Sequence, residues 1–178
     1  MTYNWYEGIN NSEYLRQGDL IPNCPIIIPP STIEENDENQ FDVELMDVVI
    51  LSQSCDLAQN KLEVVVVAWY YTLTEFIENL PEDEKQSKKA RNKKREELRK
   101  GHLPAFHLLN KDPNYLNDFL EVDFHYVFGI HIYTLKNIAK KLKERNRLMP
   151  PYRERLSQAY AKYIMRVGLP QDIKIELE

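Results

Sequence analysis

Two apolar runs dominate the pattern of hydrophobic and polar positions along the chain. Residues 48–51 read Val-Val-Ile-Leu without alternation, and residues 62–71 contain four consecutive valines followed by aromatic residues. Continuous β-branched runs of this kind are typical of strands that are buried on both faces. The short polar segment between the two runs suits a hairpin loop. The pattern therefore predicts two adjacent strands at the centre of a sheet.

The strand that precedes this pair is interrupted by prolines. Residues 20–28 are mostly apolar but include Pro22 and Pro25. Because proline cannot donate to a sheet ladder, we expect this strand to be an edge strand, or to be bulged or broken. Residues 31–40, which follow it, are acidic and rich in amides, with almost no apolar anchor. This composition predicts a mobile loop.

Two more strands are predicted after the central pair. Residues 103–109 form a short apolar segment, and residues 119–132 alternate apolar and polar side chains. Alternation with a period of two is typical of a strand with one buried face. The polar positions of this strand include Glu121, Asp123 and His125, which we therefore expect on its exposed face. Asp123 and His125 would lie on the same side and could orient each other.

The remaining segments predict four helices: residues 72–80, 82–100, 134–147 and 151–168. Thr72 or Thr74 is the expected N-cap of the first. The second has acidic residues before basic ones, which is the order that suits a helix macrodipole, and is expected to protrude into solvent. The last begins after Pro150-Pro151 and ends before Gly168-Leu-Pro.

This order of elements predicts the fold class α+β. Strands follow one another with few crossover helices in the first half of the chain, which favours a small, mostly antiparallel β-barrel. To this barrel the chain would add the inserted charged helix of residues 82–100 and the C-terminal helices. We expect residues 1–178 to form a single domain, because 178 residues with 43% hydrophobic and 29% charged side chains suit one ordinary globular core.

Charge and cysteine content narrow the function classes. A formal net charge of -5 argues against a surface that binds polyanions everywhere, but it allows a local basic patch. Nothing near Met1 resembles a secretory signal and no run is long enough to span a membrane, so we expect a cytoplasmic protein. Cys24 and Cys55 are the two cysteines, and in a reducing compartment they are expected to be free thiols.

Basic residues cluster in two places and predict contacts with the phosphates of RNA or DNA. One cluster lies in the charged helix and the other in the C-terminal helix. The candidate nucleic-acid-binding residues are Lys88, Lys89, Arg91, Lys93, Lys94, Arg95, Arg153, Arg155 and Arg166. The alternative is that both runs are simply solvated helix faces.

A polar segment directly after the buried run 48–51 is the candidate for covalent chemistry. It carries Gln53, Cys55 and Asp56, where a rigid strand emerges into solvent. A thiolate is a strong nucleophile if a neighbouring base or cation lowers its pKa. The base would be one of four histidines: His102, His107, His125 or His131. The alternative is a structural role, in which Cys55 is a small buried residue that fills a turn.

The sequence predicts no metal site and no cofactor. Thiolate and imidazole are suitable zinc ligands, but neither Cys24 nor Cys55 has a second cysteine or histidine two to four residues away. The spacing therefore fits no standard finger or ribbon.

Several local strings resemble the PemK and MazF toxin family. Gly18-Asp19 opens the first strand, residues 47–52 form a second strand that ends in a polar turn, and a valine-rich third strand follows. The resemblance implies a compact barrel, usually a dimer, that cleaves single-stranded RNA. It also implies a catalytic threonine or serine near the end of the third strand, where Thr72 lies. The family's arginine in or after the first strand has no counterpart in residues 20–28, so the catalytic set is incomplete.

The motif Leu-Ser-Gln-Ser-Cys-Asp-Leu of residues 51–57, with the later Pro-Tyr-Arg-Glu, also resembles small bacterial proteins of unknown activity. The leading hypothesis is a toxin-like protein of bacterial type that binds nucleic acid or cleaves RNA. The alternatives are a non-enzymatic interaction or regulatory module, with another protein or a second copy as partner, and a Cys55-dependent hydrolase. A membrane partner is not expected.

Overall fold

The computed structural model describes residues 3–10, 12, 14–32 and 41–165 of the chain, and every structural statement below concerns these residues. Their strands, in chain order, are β1 (Tyr6–Asn10), β2 (Leu20–Ile28), β3 (Asp42–Ile50), β4 (Val64–Thr72), β5 (Phe106–Leu109), β6 (Leu120–His131) and β7 (Glu144–Leu148). The helices are α1 (Ser54–Ala58), α2 (Leu73–Glu78), α3 (Glu82–Lys85), α4 (Lys88–Arg99), α5 (Ile132–Lys141) and α6 (Tyr152–Ile164). The fold class is α+β, as predicted.

The larger sheet has five antiparallel strands in the order β2-β3-β4-β6-β5. The two valine-rich runs are neighbours near its middle, since Ile50 of β3 pairs with Val67 of β4. Val48, Val49 and Ile50 have no solvent exposure, so the predicted burial of this run on both faces is confirmed. Helix α5 covers one face of the sheet at one end, α2 and α4 cover that face at the other end, and α6 covers the opposite face.

Strand β2 behaves as its prolines require. It pairs with β3 but with no other strand of the five-stranded sheet, so it is an edge strand, and its register shifts between Ile21 and Cys24. Pro22 and Asn23 lie in this bulge, and Asn23 has a positive φ of 51°. Asparagine tolerates this left-handed region better than most residues. The prediction of a bulged edge strand is therefore confirmed.

The smaller sheet pairs β1 with β7, and neither strand was predicted. Residues 134–147 were expected to be one helix, but α5 ends at Lys141 and the next residues turn into β7. The arginines of this strand explain the error. Arg145 and Arg147 are buried together with Leu148, while Glu144 is exposed. Arginines at buried strand positions look like the polar face of a helix when only the sequence is considered.

A buried ion cluster joins the two sheets. Asp19, at the start of β2, is fully buried and forms an isolated bridge with Arg147 of β7. Its carboxylate accepts hydrogen bonds from Arg145 Nε at 3.0 Å and from the Arg147 guanidinium. Arg145 also donates to the carbonyl oxygens of Ser12 and Tyr14, at 2.6 Å each. This cluster holds β7, β2 and the segment before β2 together.

The described strands do not form a closed barrel. They are divided between the two sheets, with β2 and β5 at the edges of the larger one. A single isolated bridge and the Asp19 cluster connect the sheets in place of a continuous ladder. The small, mostly antiparallel architecture is thus present, whereas closure into a barrel is not found.

The helices confirm most of the remaining predictions. Thr72 is the N-cap of α2, and the charged segment 82–100 forms α3 and α4 rather than one continuous helix. Leu98 anchors α4 to the apolar cluster under α2. Helix α6 begins after Pro151, as predicted, while its predicted end at residue 168 and Arg166 lie outside the described residues, as does most of the acidic loop 31–40. None of the helices in the described ranges is long and apolar enough to cross a bilayer.

Candidate active site

A bulge of three residues interrupts the pairing of β6 with β4. Trp69 of β4 pairs with Asp123, but the preceding residue of β4, Ala68, pairs with Val127. Residues 124–126 therefore have no opposite residue on β4. Bulges of this kind re-aim side chains and are common beside functional sites. Here the bulge moves His125 out of the sheet and turns it toward Asp123.

Asp123 and His125 form a hydrogen-bonded pair. The His125 Nδ1 atom lies 2.7 Å from Asp123 Oδ1, which also accepts the backbone N–H of His125 at 2.9 Å. Asp123 Oδ2 accepts the Tyr71 hydroxyl at 3.3 Å. An ionised carboxylate only accepts, so with Asp123 ionised this contact uses the Nδ1–H tautomer of His125 and leaves Nε2 for another partner. The Asp123 side chain is 7% exposed and that of His125 is 51% exposed, so a buried carboxylate orients an imidazole that solvent can reach.

Glu121 is the second carboxylate of this strand, and its side chain has no polar partner. It is fully buried, and neither carboxylate oxygen has a hydrogen-bond partner among the described residues. Tyr71 and Leu108 are its direct neighbours on the flanking strands. Burial, and then the nearby charge of Asp123, raises the pKa of Glu121 well above its usual value. Glu121 therefore stays protonated to a higher pH than an exposed glutamate does.

The burial of Glu121 and Asp123 contradicts the prediction that they lie on an exposed strand face. Residues 120–124 are buried without alternation, because α2 and α4 cover the face that would otherwise be wet. The predicted pairing of Asp123 with His125 is confirmed, although the bulge, rather than strand alternation, brings them together. The same burial, followed by the charges of Asp123 and Glu121, raises the pKa of Tyr71.

Aromatic rings surround the Asp123 and His125 pair. Trp69 lies 4.6 Å from Tyr71 and 5.2 Å from Tyr126, measured between ring centroids. The His125 ring meets Phe106 edge to face at 5.4 Å. Tyr126 is half exposed, so part of this aromatic surface is open to solvent. Rings of this kind offer flat faces on which nucleobases can stack.

A groove of about 500 Å³ starts at Phe106 and runs along the edge strand β5. Its lining combines apolar rings with three cations, Arg99, Lys100 and Arg155. Arg99 and Lys100 both form ion pairs with Glu96. Arg155 instead lies over the Tyr152 ring at 5.8 Å. His107 also lines the groove, and burial followed by the charge of Arg155 lowers its pKa to about 4. His107 is therefore neutral at pH 7, and the groove favours an anion through its three cations.

The candidate catalytic residues predicted from the sequence do not come together. Gln53, Cys55 and Asp56 lie at the start of β4, in and just before the short helix α1, where Ser52 Oγ accepts the Val66 N–H. Thr72 lies at the far end of β4, six residues beyond Val66. At ~3.3 Å per residue, Thr72 is about 20 Å from Val66. Its hydroxyl accepts the Glu75 N–H at 3.1 Å and its own backbone N–H donates to the Glu75 carboxylate at 2.7 Å, a capping box that explains the residue structurally.

Cys55 is exposed and Cys24 is buried, as the position of Cys55 after a strand predicted. Burial raises the pKa of Cys24 to about 11. Gln17 contacts the polar segment and the residue before it: its N–H donates to Ser54 Oγ at 3.1 Å, and its side-chain amide donates to the Leu51 carbonyl at 2.6 Å. No hydrogen bond links Cys55 to a histidine within the described ranges. The described residues therefore identify no base that would activate the Cys55 thiol.

The predicted basic cluster on α4 is partly neutralised by its own neighbours. Lys94 forms ion pairs with Glu84 at 2.6 Å and with Glu97 at 3.6 Å, and Lys93 reaches Glu97 at 3.9 Å. Arg91 donates to the Lys85 carbonyl at 2.6 Å. The exposed members of the cluster are Lys88, Lys89, Lys93 and Arg95. On α6, Arg153 pairs with Glu154 at 2.6 Å, which leaves Arg155 as the cation that faces the groove.

No group of three or more histidine, cysteine, aspartate or glutamate side chains within the described residues converges in a way that could hold a metal ion. Comparison of the chain with protein-family models, with curated proteins and with solved structures finds no match. The resemblance to the PemK and MazF family therefore remains a prediction from strand order and local strings.

Proposed function

We propose that the protein binds single-stranded RNA in the β5 groove and cleaves it, with His125 as the general base and Asp123 as the group that orients it. The observation that carries the proposal is the 2.7 Å contact between Asp123 Oδ1 and His125 Nδ1 beside an open aromatic surface. It develops the predicted nucleic-acid function but moves the chemistry from Cys55 and Thr72 to β6.

The chemistry follows from the free Nε2 atom. His125 would take the proton of a ribose 2′-hydroxyl, and the 2′-oxygen would attack the adjacent phosphorus as the bond to the 5′-oxygen breaks. The departing 5′-oxygen takes a proton from water. The products would be a 2′,3′-cyclic phosphate and a 5′-hydroxyl. This route needs no metal ion and cannot act on DNA, which lacks the 2′-hydroxyl.

Binding would rest on the groove and the rings beside it. Arg155, with Arg99 and Lys100, supplies positive charge for phosphates, and Trp69 and Tyr126 supply stacking faces. Exposed cations of α4, namely Lys88, Lys89, Lys93 and Arg95, would extend this field. A dimer and a closed barrel remain proposals from the PemK and MazF resemblance, and a cytoplasmic location remains a proposal from the sequence alone.

The test is cleavage of an unstructured, end-labelled RNA by purified protein in the presence of a chelator. We expect cleavage with cyclic-phosphate ends, no cleavage of DNA of the same sequence, and a loss of roughly 10²-fold or more in rate for H125A. The matched control is H102A, since His102 is an exposed histidine outside the site. R155A should weaken binding of RNA and DNA alike, with a salt dependence reduced by about one phosphate contact.

The outcomes separate the competing functions. RNA that binds without being cleaved would favour the predicted non-enzymatic module. Cleavage by H125A at the rate of the unaltered protein would refute the assignment of His125. Cleavage that disappears in C55A but persists in H125A would instead support the Cys55-dependent alternative.

A further inference from the structure

Strands β2 and β3 continue beyond the sheet as a two-stranded ribbon. Strand β3 pairs with β4 only from Val48 to Ile50, whereas residues 42–46 of β3 pair only with β2. Asp47, at the branch point, accepts the Asn23 N–H from the bulge of β2 at 2.8 Å. Among the described strands, none pairs with the edge of β3 that faces away from β2 over residues 42–46. Such an edge is a template for pairing with another extended chain.

One face of this ribbon is apolar and open to solvent. Ile27 is 66% exposed, Val43 is 61% exposed and Leu45 is 67% exposed. Ile27 pairs directly with Val43, and Pro25 pairs with Leu45, so the four side chains form one continuous patch. The opposite face contributes Cys24 and Ile26 to the core beneath α5, which fixes the ribbon in place. Grouped apolar exposure of this kind marks an interaction surface.

The charge around the ribbon is acidic. Asp42 and Glu44 are exposed and alternate with Val43 and Leu45 along β3. A strand that pairs with β3 would meet apolar side chains on one face and carboxylates on the other.

We propose that the free edge of β3 binds an extended segment of another protein in which apolar residues alternate with lysine or arginine. Main-chain hydrogen bonds to residues 42–46 would add this segment to the ribbon as a third strand. Its apolar side chains would cover Val43 and Leu45, and its cations would face Asp42 and Glu44. A second copy of this chain is a poor occupant, because pairing β3 with itself places carboxylates opposite carboxylates.

The test uses a fluorescently labelled peptide of alternating valine and lysine, with a valine and glutamate peptide of equal length as the charge control. Fluorescence anisotropy should show at least tenfold tighter binding of the lysine peptide, weakened by added salt. The variant V43S/L45S should reduce its affinity about tenfold. The matched control V64S, which alters another exposed valine, should leave the affinity unchanged.

Three results would overturn the proposal. Equal affinity for both peptides would remove the charge argument, and equal affinity of V43S/L45S and the unaltered protein would remove the apolar patch. Dimerisation in analytical ultracentrifugation that is lost in V43S/L45S would assign the edge to a second copy instead. Circular dichroism of V43S/L45S verifies that the sheet is intact. Because the ribbon is separate from His125, H125A should bind the lysine peptide normally whether or not the protein cleaves RNA.

Discussion

Replacing Glu121 with glutamine should make folding stability less dependent on pH. Glu121 is fully buried between Tyr71 and Leu108, and neither of its carboxylate oxygens has a hydrogen-bond partner among the described residues. Burial, and then the charge of Asp123, raises its pKa in the folded protein well above the usual value. In the unfolded chain the pKa returns to about 4.3. The folded state therefore binds a proton that the unfolded state has released.

The sign and size of the effect follow from this difference in bound protons. Above about pH 4.3 the unfolded state is favoured by its ability to ionise, so the stability of the unaltered protein falls as pH rises toward the folded pKa. One proton corresponds to a slope of at most about 1.4 kcal/mol per pH unit. The glutamine of E121Q cannot ionise, so it makes no pH-dependent contribution to the free energy of unfolding. Relative to the unaltered protein, E121Q should therefore gain stability steadily with increasing pH.

Urea unfolding at a series of pH values between about 4.3 and about 8 measures the effect, because that window begins at the unfolded pKa. The difference in free energy of unfolding between E121Q and the unaltered protein is plotted against pH. The comparison cancels the contributions of all other titrating groups. As a control at neutral pH, E44Q changes an exposed carboxylate of β3 and should alter stability by less than about 0.5 kcal/mol.

A difference plot for E121Q that stays flat across this window would show that the carboxyl group titrates alike in the folded and unfolded chains. The idea that burial keeps Glu121 protonated in the folded protein would then be wrong. A difference that declines with pH would mean that the folded protein stabilises the charged form of Glu121.

Two further predictions concern other buried groups. D19N leaves two buried guanidinium groups without their carboxylate, so urea unfolding should show a loss of about 3–5 kcal/mol, and a loss near zero would show that the cluster does not hold the sheets together. Iodoacetamide followed by mass spectrometry should label exposed Cys55 readily and buried Cys24, whose pKa is raised to about 11, only on unfolding. Equal slow labelling of both thiols would contradict this.

Apolar runs and turn residues predicted most of the larger sheet. Burial of residues 48–51, the bulged edge strand with Pro22 and the helix cap at Thr72 all follow from local chemistry, and the structure confirms each of them. Strand β7 was missed because two of its three buried positions are arginines, whose partner Asp19 lies more than a hundred residues away in sequence. No local pattern contains that partner.

The candidate site shows the same division between local and distant causes. The sequence placed Asp123 and His125 close enough to orient each other, and their hydrogen bond confirms that prediction. It could not show that α2 and α4 bury the strand face around Glu121, or that residues 124–126 bulge away from β4. Both facts depend on how distant segments pack. The sequence therefore predicted Cys55 and Thr72 as catalytic candidates, because their local motifs can be recognised without the fold.

The pairing of β1 with β7 also has a consequence for the order in which the molecule assembles on the ribosome. Tyr6 pairs with Leu148, so β1 waits for its partner β7 until nearly the whole described chain has been translated. Closing a loop of this size is entropically unfavourable, although the cost grows only with the logarithm of its length. Contacts this distant in sequence form slowly, so the five-stranded sheet should assemble first and the small sheet should join it last.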